Sequence, residues 1–318
     1  MNQLKTLGIV AVSLIVHSCA AQKINAPEIS QSEVSRVIKT LSADEMMGRS
    51  AMKPEQIRKA ADFIAAEFEK AGLKYFNGGN SYLQTFITGK AKLPMFNVVG
   101  VLPGKSKPNE YVVFSAHYDH LGVIKAVNQD SIANGADDDA SGITAVIELA
   151  KYFSRKNDNE RTLIFVAFTA EEIGGYGSQY FSKQLNPDEV VAMFNIEMIG
   201  KESKFGKNNA FITGYERSDF GKILQKNLVG TDFKFYPDPY PKQNLFYRSD
   251  NATLAKLGVP AHTISSDQID TDKLYHSVDD EFESMDIGNI TEIIKAIAIS
   301  STSIVEGKDT PSRVSGVK

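Results

Sequence analysis

Short, almost uninterrupted apolar runs that alternate with helical stretches constrain the fold of this chain most strongly. We predict strands in six runs, at residues 95–102, 110–117, 162–168, 190–198, 210–214 and 259–265. Strands that are apolar along their whole length are buried on both faces, which is typical of parallel sheets covered by helices. The sequence therefore predicts an α/β fold with a mostly parallel central sheet flanked by helices.

Helical periodicity fills the intervals between these runs. The clearest helix begins at Pro54, which suits a first turn, and ends near Gly72. Its apolar residues recur every three or four positions and form one face. Further helices are predicted at 141–154, 175–184, 218–228 and 286–305. Since no repeat or long linker divides the chain, we expect one domain at residues 25–308 and a C-terminal tail at 309–318.

The N-terminus has the features of a secretory signal peptide at residues 1–21. Lys5 precedes an apolar run at residues 7–16, which is too short to cross the ~30 Å core of a bilayer. The sequence VHSC, which ends at Cys19, resembles a bacterial lipobox, and ordinary cleavage after Ala20 is the alternative. We therefore expect export from a bacterial cytoplasm. The product would be periplasmic, secreted, or anchored in the outer membrane as a lipoprotein through a lipidated Cys19.

Composition excludes several classes of function. The formal net charge is −4, which weighs against nucleic acid as the main partner. A single cysteine allows neither an intramolecular disulfide nor a cysteine zinc ribbon. Because the chain has only five histidines, a metal site would have to be rich in carboxylates.

Residues that could bind a metal follow the predicted strands, where sites of open α/β sheets lie. They are His117, Asp119 and His120; Asp137, Asp138 and Asp139; Glu171 and Glu172; Glu197; and His276. Two histidines and several carboxylates can hold two zinc ions about 3.5–4 Å apart if one carboxylate bridges them. No single group is specific, because isolated acidic clusters are more often solvated loops or helix caps.

The order of these groups gives a stronger signal. The chain resembles the M28 family of zinc exopeptidases in six motifs with the family's order and spacing: SAHYDH, GADDDASG, FTAEEIGGYGS, FNIEMIG, RSDNATLAKLGVPA and YHSVDD. The resemblance covers roughly residues 95–300. It implies the zinc exopeptidase (phosphorylase/hydrolase-like) fold, two Zn²⁺ ions as cofactors and peptides as substrates.

The resemblance also implies the metal ligands, which are His117, Asp138, Glu172, Glu197 and His276. Asp138 matches the bridging carboxylate, and its neighbours Asp137 and Asp139 are interpreted as loop-shaping or helix-capping residues. Glu197 departs from the Asp that most aminopeptidases of the family have there. Related carboxypeptidases are similar to this chain in having Glu. We therefore still expect Glu197 to bind metal, but whether the enzyme prefers the N-terminus of a peptide stays open.

Catalytic roles follow from the same resemblance. Glu171 matches the general base that assists a zinc-bound hydroxide, and Asp119 matches the acid that orients His117. Tyr275 either donates its hydroxyl to the developing oxyanion or only packs against the sheet edge. In addition, Arg248 and Asp250 are candidates for substrate contact.

Three further residues are given structural interpretations. His120 has no family role and is interpreted as a rim or structural histidine. His262 lies in an apolar run and is interpreted as a hydrogen-bonded core residue. Asp279 either supports His276 or caps a helix, with the cap favoured.

The leading hypothesis is an aminopeptidase, and three alternatives stay open. Glu197 makes a carboxypeptidase or dipeptidase of the same fold the main one. A glutaminyl cyclase is less favoured, because these M28-like enzymes use one zinc and typically have Trp beside the last His, whereas this chain has Tyr275 and no Trp. A binding module without activity is disfavoured because no metal ligand is missing. The sequence predicts neither the side-chain preference nor the oligomeric state.

Overall fold

The computed structural model describes residues 28–88 and 92–316. The predicted signal peptide at residues 1–21, with Cys19, lies outside the described residues. Within those residues, none of the helices has both the length and the apolar composition that a bilayer crossing requires.

The described residues alternate between helices and strands, as the sequence predicts. The helices are α1 (Gln31–Leu41), α2 (Pro54–Lys70), α3 (Gly142–Lys156), α4 (Tyr176–Ser182), α5 (Phe220–Asn227), α6 (Asn251–Ala255), α7 (Ile287–Ser300) and α8 (Thr302–Val305). The strands are β1 (Lys74–Tyr75), β2 (Leu83–Ile87), β3 (Pro94–Leu102), β4 (Lys107–His117), β5 (Gly122–Val127), β6 (Asp130–Ala133), β7 (Arg161–Phe168), β8 (Val190–Ile196), β9 (Asn209–Ile212), β10 (Lys234–Pro237) and β11 (Ala261–Ser265).

One large sheet organises the domain. Its strands lie in the order β1-β3-β7-β4-β8-β11-β9-β10, and β2 also pairs with β3. The central strands β7, β4, β8 and β11 are parallel, which confirms the α/β prediction for the middle of the sheet. In contrast, β3 and β9 run antiparallel to their central neighbours. Only residues 103–106 separate β3 from β4, too few for the helical crossover that parallel strands need.

The helices cover this sheet through apolar faces. Helix α2 begins at Pro54 and is followed by Gly72, whose φ of +75° ends it, as predicted. Its inward residues Ile64 and Phe68 are completely buried. Each such side chain contributes roughly 1.5–3 kcal/mol relative to an exposed one.

An aromatic stack joins the middle of the sheet to α3. Phe114 of β4 stacks on Phe153 of α3 and on two neighbouring strand residues, Phe165 and Phe194, with ring centroids 4.8–5.5 Å apart. All four rings are fully buried. The carboxyl ends of β4, β7 and β8 therefore extend from a rigid support.

His262 lies in the core, as predicted. Its Nδ1 is 2.8 Å from the Thr213 carbonyl oxygen, and its Nε2 is 2.7 Å from the Ser218 hydroxyl. Burial lowers the pKa of His262 to about 4, so the ring is neutral near pH 7. Because Thr213 and Ser218 occupy both nitrogens, His262 has none left for the candidate site.

The tail predicted at residues 309–318 is described as far as residue 316, where it packs on the domain. The buried guanidinium of Arg161 donates to the Asp309 carbonyl and to the Thr310 hydroxyl, each at 2.6 Å. Further along, Val314 is 7% exposed. These contacts fasten the segment next to the start of β7.

Candidate metal centre

Four of the predicted site residues lie at the ends of neighbouring strands of the sheet. His117 ends β4, Glu171 and Glu172 follow β7, and Glu197 follows β8. Because β7, β4 and β8 are adjacent and parallel, their carboxyl ends open on one edge of the sheet. This is the edge at which sites of open α/β folds form.

Asp138 lies between two histidines that come from distant parts of the chain. Its Oδ1 is 3.1 Å from Nε2 of His117, and its Oδ2 is 3.2 Å from Nε2 of His276. The same His276 nitrogen lies 3.2 Å from Oε2 of Glu172. Nε2 of His117 is buried, and its contact with Asp138 does not have the geometry of a hydrogen bond. The carboxylate therefore presents one oxygen to each of two nitrogen donors, which is the arrangement of a bridging ligand.

Asp119 acts on its neighbours differently from the prediction. The group 3.0 Å from Nδ1 of His117 is the main-chain carbonyl of Asp119, whereas its carboxylate oxygen is 3.8 Å away. That carboxylate instead accepts from the main-chain N–H groups of Glu171 and Glu172, at 3.0 and 3.4 Å. Asp119 thus orients His117 through its backbone and fixes the two glutamates through its side chain.

Asp139 ties the site together beneath the ligands. Its carboxylate accepts from the N–H groups of Gly142, His117 and Met198, at 3.0, 3.3 and 3.1 Å. The bond to Gly142 caps the start of α3, as predicted. The other two bonds fix the end of β4 and the segment after β8 relative to each other.

A second acid, Asp280, holds the turn on which Asp138 lies. Its carboxylate accepts from the N–H groups of Asp137 and Asp138, at 3.0 and 3.1 Å. The neighbouring Asp279 is exposed, and the nearest following helical turn, residues 282–284, begins after Glu281. The helix cap predicted for Asp279 is therefore wrong. The carboxylate that supports the site belongs to the next residue, Asp280.

Arg49 is a component of the site that the sequence analysis missed. Its guanidinium is completely buried and donates to the main-chain carbonyls of Tyr118, Asn134 and Gly135 at 2.6–2.8 Å. These carbonyls belong to the two loops that carry His117 and Asp138. Arg49 precedes them by more than sixty residues, and nothing in its local sequence signals such long-range bonds.

The electrostatics of the site are dominated by acids. Burial, reinforced by the Glu197 and Asp250 carboxylates, raises the pKa of Glu171 well above its usual range, although His117 opposes this. Burial likewise raises the pKa values of Glu197 and Asp119 to about 7. The protein groups alone therefore leave the site short of positive charge, a deficit that metal ions would correct.

A cleft with about 590 Å³ of empty space opens beside these ligands. Its lining includes Glu171, Glu197, Arg248 and Tyr275, together with apolar side chains such as Phe211. The ring of Tyr275 stacks on that of His276 with centroids 3.8 Å apart. The predicted candidates Tyr275 and Arg248 therefore face the space that a substrate would fill.

Asp250 has a different position from Arg248, the other residue predicted to contact substrate. It is 2% exposed, and its two carboxylate oxygens have no hydrogen-bond partner among the described residues. It lines a second cleft, behind Glu171, rather than the one beside Tyr275. The structure therefore favours an influence of Asp250 on Glu171 over contact with the substrate.

Of the two interpretations of His120, a rim or a structural histidine, the structure agrees with the second. Its side chain is completely buried rather than at the rim, and Nδ1 lies 2.9 Å from Oε1 of Glu172. It is therefore part of the ligand cluster.

Comparison with known proteins now decides the family. The sequence model of peptidase family M28 matches residues 97–300. The chain belongs to peptidase family M28. A probable zinc metalloprotease of Pyrenophora tritici-repentis is 32% identical to it over 154 residues, which cover 46% of this chain and 32% of the relative. The chain thus spans about a third of the length of that curated relative.

Solved structures share the fold at low sequence identity. BSAP, a zinc aminopeptidase from Bacillus subtilis, has a TM-score of 0.69 and 14% identity, covering 88% of this chain and 96% of its own. The glutaminyl cyclase of Porphyromonas gingivalis has a TM-score of 0.68 and 16% identity, covering 87% of this chain and 99% of its own. Because the two scores are nearly equal, the fold of this M28 member does not select a reaction, and the site must.

Proposed function

We propose that this M28 member is a di-zinc aminopeptidase that hydrolyses N-terminal residues from peptides. The observation that carries the proposal is the position of Asp138, whose two oxygens face His117 on one side and His276 on the other. A carboxylate placed in this way suits two ions that share it. A single ion would bind only one of these two histidine nitrogens.

The donor set fits zinc. His117, Glu197 and Oδ1 of Asp138 would hold one ion, and His276, Glu172 and Oδ2 of Asp138 the other. Mixed imidazole and carboxylate donors are typical of catalytic zinc sites. Zinc bound there would supply Lewis acidity and lower the pKa of water.

Glu171 is the group that moves the proton. Its main-chain N–H is held by Asp119, and its side chain lines the cleft beside the ligands. A carboxylate in this position, beside the metal ligands but not assigned to an ion, can act as a general base. Glu171 would take a proton from the attacking water and deliver it to the leaving amine.

Tyr275 is placed to steady the negative charge that develops on the scissile carbonyl oxygen. Burial and the nearby carboxylates of Asp138, Glu172 and Glu197 raise the pKa of its phenol, so the hydroxyl keeps its proton at neutral pH. A protonated phenol in the cleft can donate a hydrogen bond to that oxygen.

The charge of the cleft favours binding of a free α-amine. Its acidic lining residues are Asp138, Glu171, Glu172, Glu197 and Asp267, whereas its basic side chains are Arg248 and His276. Where Asp138, Glu172 and Glu197 bind zinc, the ions neutralise them, so the carboxylates left to attract the ammonium group of a peptide N-terminus would be Glu171 and Asp267. Glu197, one methylene longer than the usual Asp, remains in this lining.

Carboxypeptidase or dipeptidase action is the second candidate, and Arg248 is the observation that favours it. Its guanidinium is the one arginine in the cleft lining and could bind a terminal carboxylate. A glutaminyl cyclase is less supported, because Tyr275 replaces the usual Trp and because Asp138 faces two separate nitrogen donors.

Matched peptides with free and with acetylated N-termini test the proposal. An aminopeptidase releases residues only from the free-amine peptide, and chelation abolishes the release. Equal cleavage of the acetylated peptide from its other end would contradict the proposal in favour of a carboxypeptidase. Formation of pyroglutamyl peptide from an N-terminal Gln without cleavage would instead establish a cyclase.

A further inference from the structure

A second cleft meets the cleft of the metal centre at Glu171. It encloses about 1050 Å³ of empty space, compared with about 590 Å³ in the first. Glu171, Arg248 and Ser249 line both clefts and so form the boundary between them. In the proposed reaction Glu171 delivers a proton to the leaving amine. The part of the peptide that leaves therefore begins at this boundary.

Two helices that contact each other form walls of the second cleft. Helix α4 contributes Ser178 and Ser182, and helix α6 contributes Thr253. Each helix is followed directly by an exposed lysine of the lining, which is Lys183 after α4 and Lys256 after α6. Both walls therefore end in a cation beside the same cleft.

The cations of this lining have no partner of opposite charge. Within residues 28–88 and 92–316, the exposed side chains of Lys183, Arg248 and Lys256 form no ion pair and donate no hydrogen bond. The acids of the lining are Glu171, at the boundary, and Asp250, whose two carboxylate oxygens are buried. An anion in the second cleft would therefore meet three available cations.

The two clefts have opposite charge, and so do the two ends of a short peptide. Once zinc neutralises its ligands, the first cleft keeps the carboxylates of Glu171 and Asp267. These attract the ammonium group of a peptide, whereas the cations of the second cleft attract a carboxylate. An extended tripeptide is at most about 11 Å long, so its two ends can lie in adjoining clefts.

We propose that the second cleft binds the leaving part of the peptide through a carboxylate, and that Lys183, Arg248 and Lys256 hold it. The carboxylate is the C-terminus of a short peptide or an Asp or Glu side chain of a longer one. This inference rests on the proposed aminopeptidase function and makes short or acidic peptides the preferred substrates. Arg248 then binds the carboxylate of the part that leaves, without any carboxypeptidase action.

Matched peptides measure this preference on the zinc-loaded full-length protein. Each begins with the residue that the enzyme releases fastest from peptides X-Ala-Ala (Leu if none is released). One pair ends in Ala-Ala as the free acid or as the amide, and the other ends in Ala-Glu-amide or Ala-Gln-amide. Since one exposed ion pair is worth about 1.4- to 5-fold, we expect kcat/KM for release of the first residue to be roughly 3- to 30-fold higher for the carboxylate peptide of at least one pair.

The two pairs distinguish the two sources of the carboxylate. A preference in the first pair identifies the C-terminus of short peptides, and a preference in the second identifies acidic side chains. Ratios below about 2-fold in both pairs would overturn the inference.

Variants test whether the second cleft causes the preference. The double variant Lys183→Gln, Lys256→Gln should lower the ratio of kcat/KM between carboxylate and neutral peptides by at least about 2-fold. Lys295→Gln, which removes an exposed lysine of α7 that lines neither cleft, is the control and should keep the wild-type ratio. Because the ratio is taken within each variant, a loss of folding or of zinc cancels. An unchanged ratio in the double variant would overturn the inference.

Binding separates failure of this inference from failure of the proposed function. Isothermal titration calorimetry with zinc-loaded Glu171→Gln, which lacks the base, gives the same preference as a ratio of dissociation constants. If carboxylate peptides bind more tightly but the wild type releases no N-terminal residue, the cleft assignment stands and the aminopeptidase proposal fails. If N-terminal residues are released with ratios near one, the aminopeptidase proposal stands and this inference fails.

Discussion

Two buried groups of carboxylates in this protein are neutralised in different ways. The first joins α1, α2 and α3, where the completely buried carboxylate of Glu67 pairs with Arg36, Lys70 and Lys151 at 2.7–2.9 Å. Burial alone would raise the pKa of Glu67, but hydrogen bonds from these three cations lower it to about 2. The protein supplies all the positive charge that this group needs.

The second group is the candidate metal centre. Among the described residues, no Lys or Arg forms an ion pair with Asp119, Asp138 or Glu172, and the nearby Arg49 donates to main-chain carbonyls. The pKa of Glu171 is raised rather than lowered. Against the effect of burial, histidines, rather than Lys or Arg, lower the pKa values of Asp138 and Glu172, and neutral imidazoles with carboxylates are the donor set of a metal site.

Removing one carboxylate from each region should separate catalysis from stability. Glu171→Gln keeps the shape of the site but removes the base, so we expect kcat to fall by about 10²–10⁴ while zinc content is unchanged. Glu67→Gln should leave kcat unchanged. Peptide turnover and metal analysis on both variants check this, and near wild-type turnover in Glu171→Gln would contradict the role of the base.

After chelation, the free energy of unfolding of the metal-free protein should depend on pH through Asp250. Burial raises the pKa of Asp250 to about 6 from an ordinary 3.8, so the folded metal-free protein holds a proton that the unfolded chain releases between these values. The free energy of unfolding therefore falls as pH rises through this window, by about 2–3 kcal/mol. Thermal melts of metal-free wild type and metal-free Asp250→Asn between pH 4 and 6 measure it as a difference, and a wild-type Tm that rises relative to the variant with pH would contradict this expectation.

The group of Glu67, Arg36, Lys70 and Lys151, called the helical network below, should give a stability that depends on pH in the opposite direction. The pKa of Glu67 is about 2 in the folded protein against an ordinary 4.5, so its contribution is complete above 4.5 and is lost as pH falls towards 2. We expect Glu67→Gln to cost about 1–3 kcal/mol at pH 7, because three cations lose a buried partner. Urea unfolding at pH 7 and at pH 3 should show a smaller difference from wild type at the lower pH.

An exposed pair gives the smallest effect. Lys295 and Glu292 of α7 lie 2.9 Å apart with side chains 39% and 46% exposed. Water screens such a pair, so Lys295→Gln should change the free energy of unfolding by less than about 0.5 kcal/mol. A cost equal to that of Glu67→Gln would show that pairing alone, rather than burial, makes the helical network stabilising.

The sequence predicts the elements that have strong local signals. Continuous apolar runs located β4, β7 and β8, and Pro54 with Gly72 bounded α2. The short hairpin of β5 and β6 was missed, because its burial is partial and its exposed residues interrupt the apolar pattern. The antiparallel direction of β3 and β9 was missed. The direction of a strand depends on the connection that leads to it, and apolar runs do not predict that connection.

In the site, the sequence predicts which residues come together but not the contacts that support them. The motifs located Asp138 among three consecutive Asp residues, and the structure places its two oxygens between His117 and His276. By contrast, the roles of Arg49 and Asp280 depend on hydrogen bonds between distant segments. Such bonds leave no periodicity or local spacing in the sequence.

Zinc stoichiometry tests the central claim, a pair of ions that share Asp138, most directly. Wild-type protein and Asp138→Asn are loaded with excess zinc, dialysed, checked for folding by circular dichroism and analysed for metal content. The account predicts two zinc ions per chain in the wild type and a loss at both positions in Asp138→Asn, because each position uses one oxygen of that carboxylate. One zinc ion per wild-type chain, or two that persist in Asp138→Asn, would contradict it.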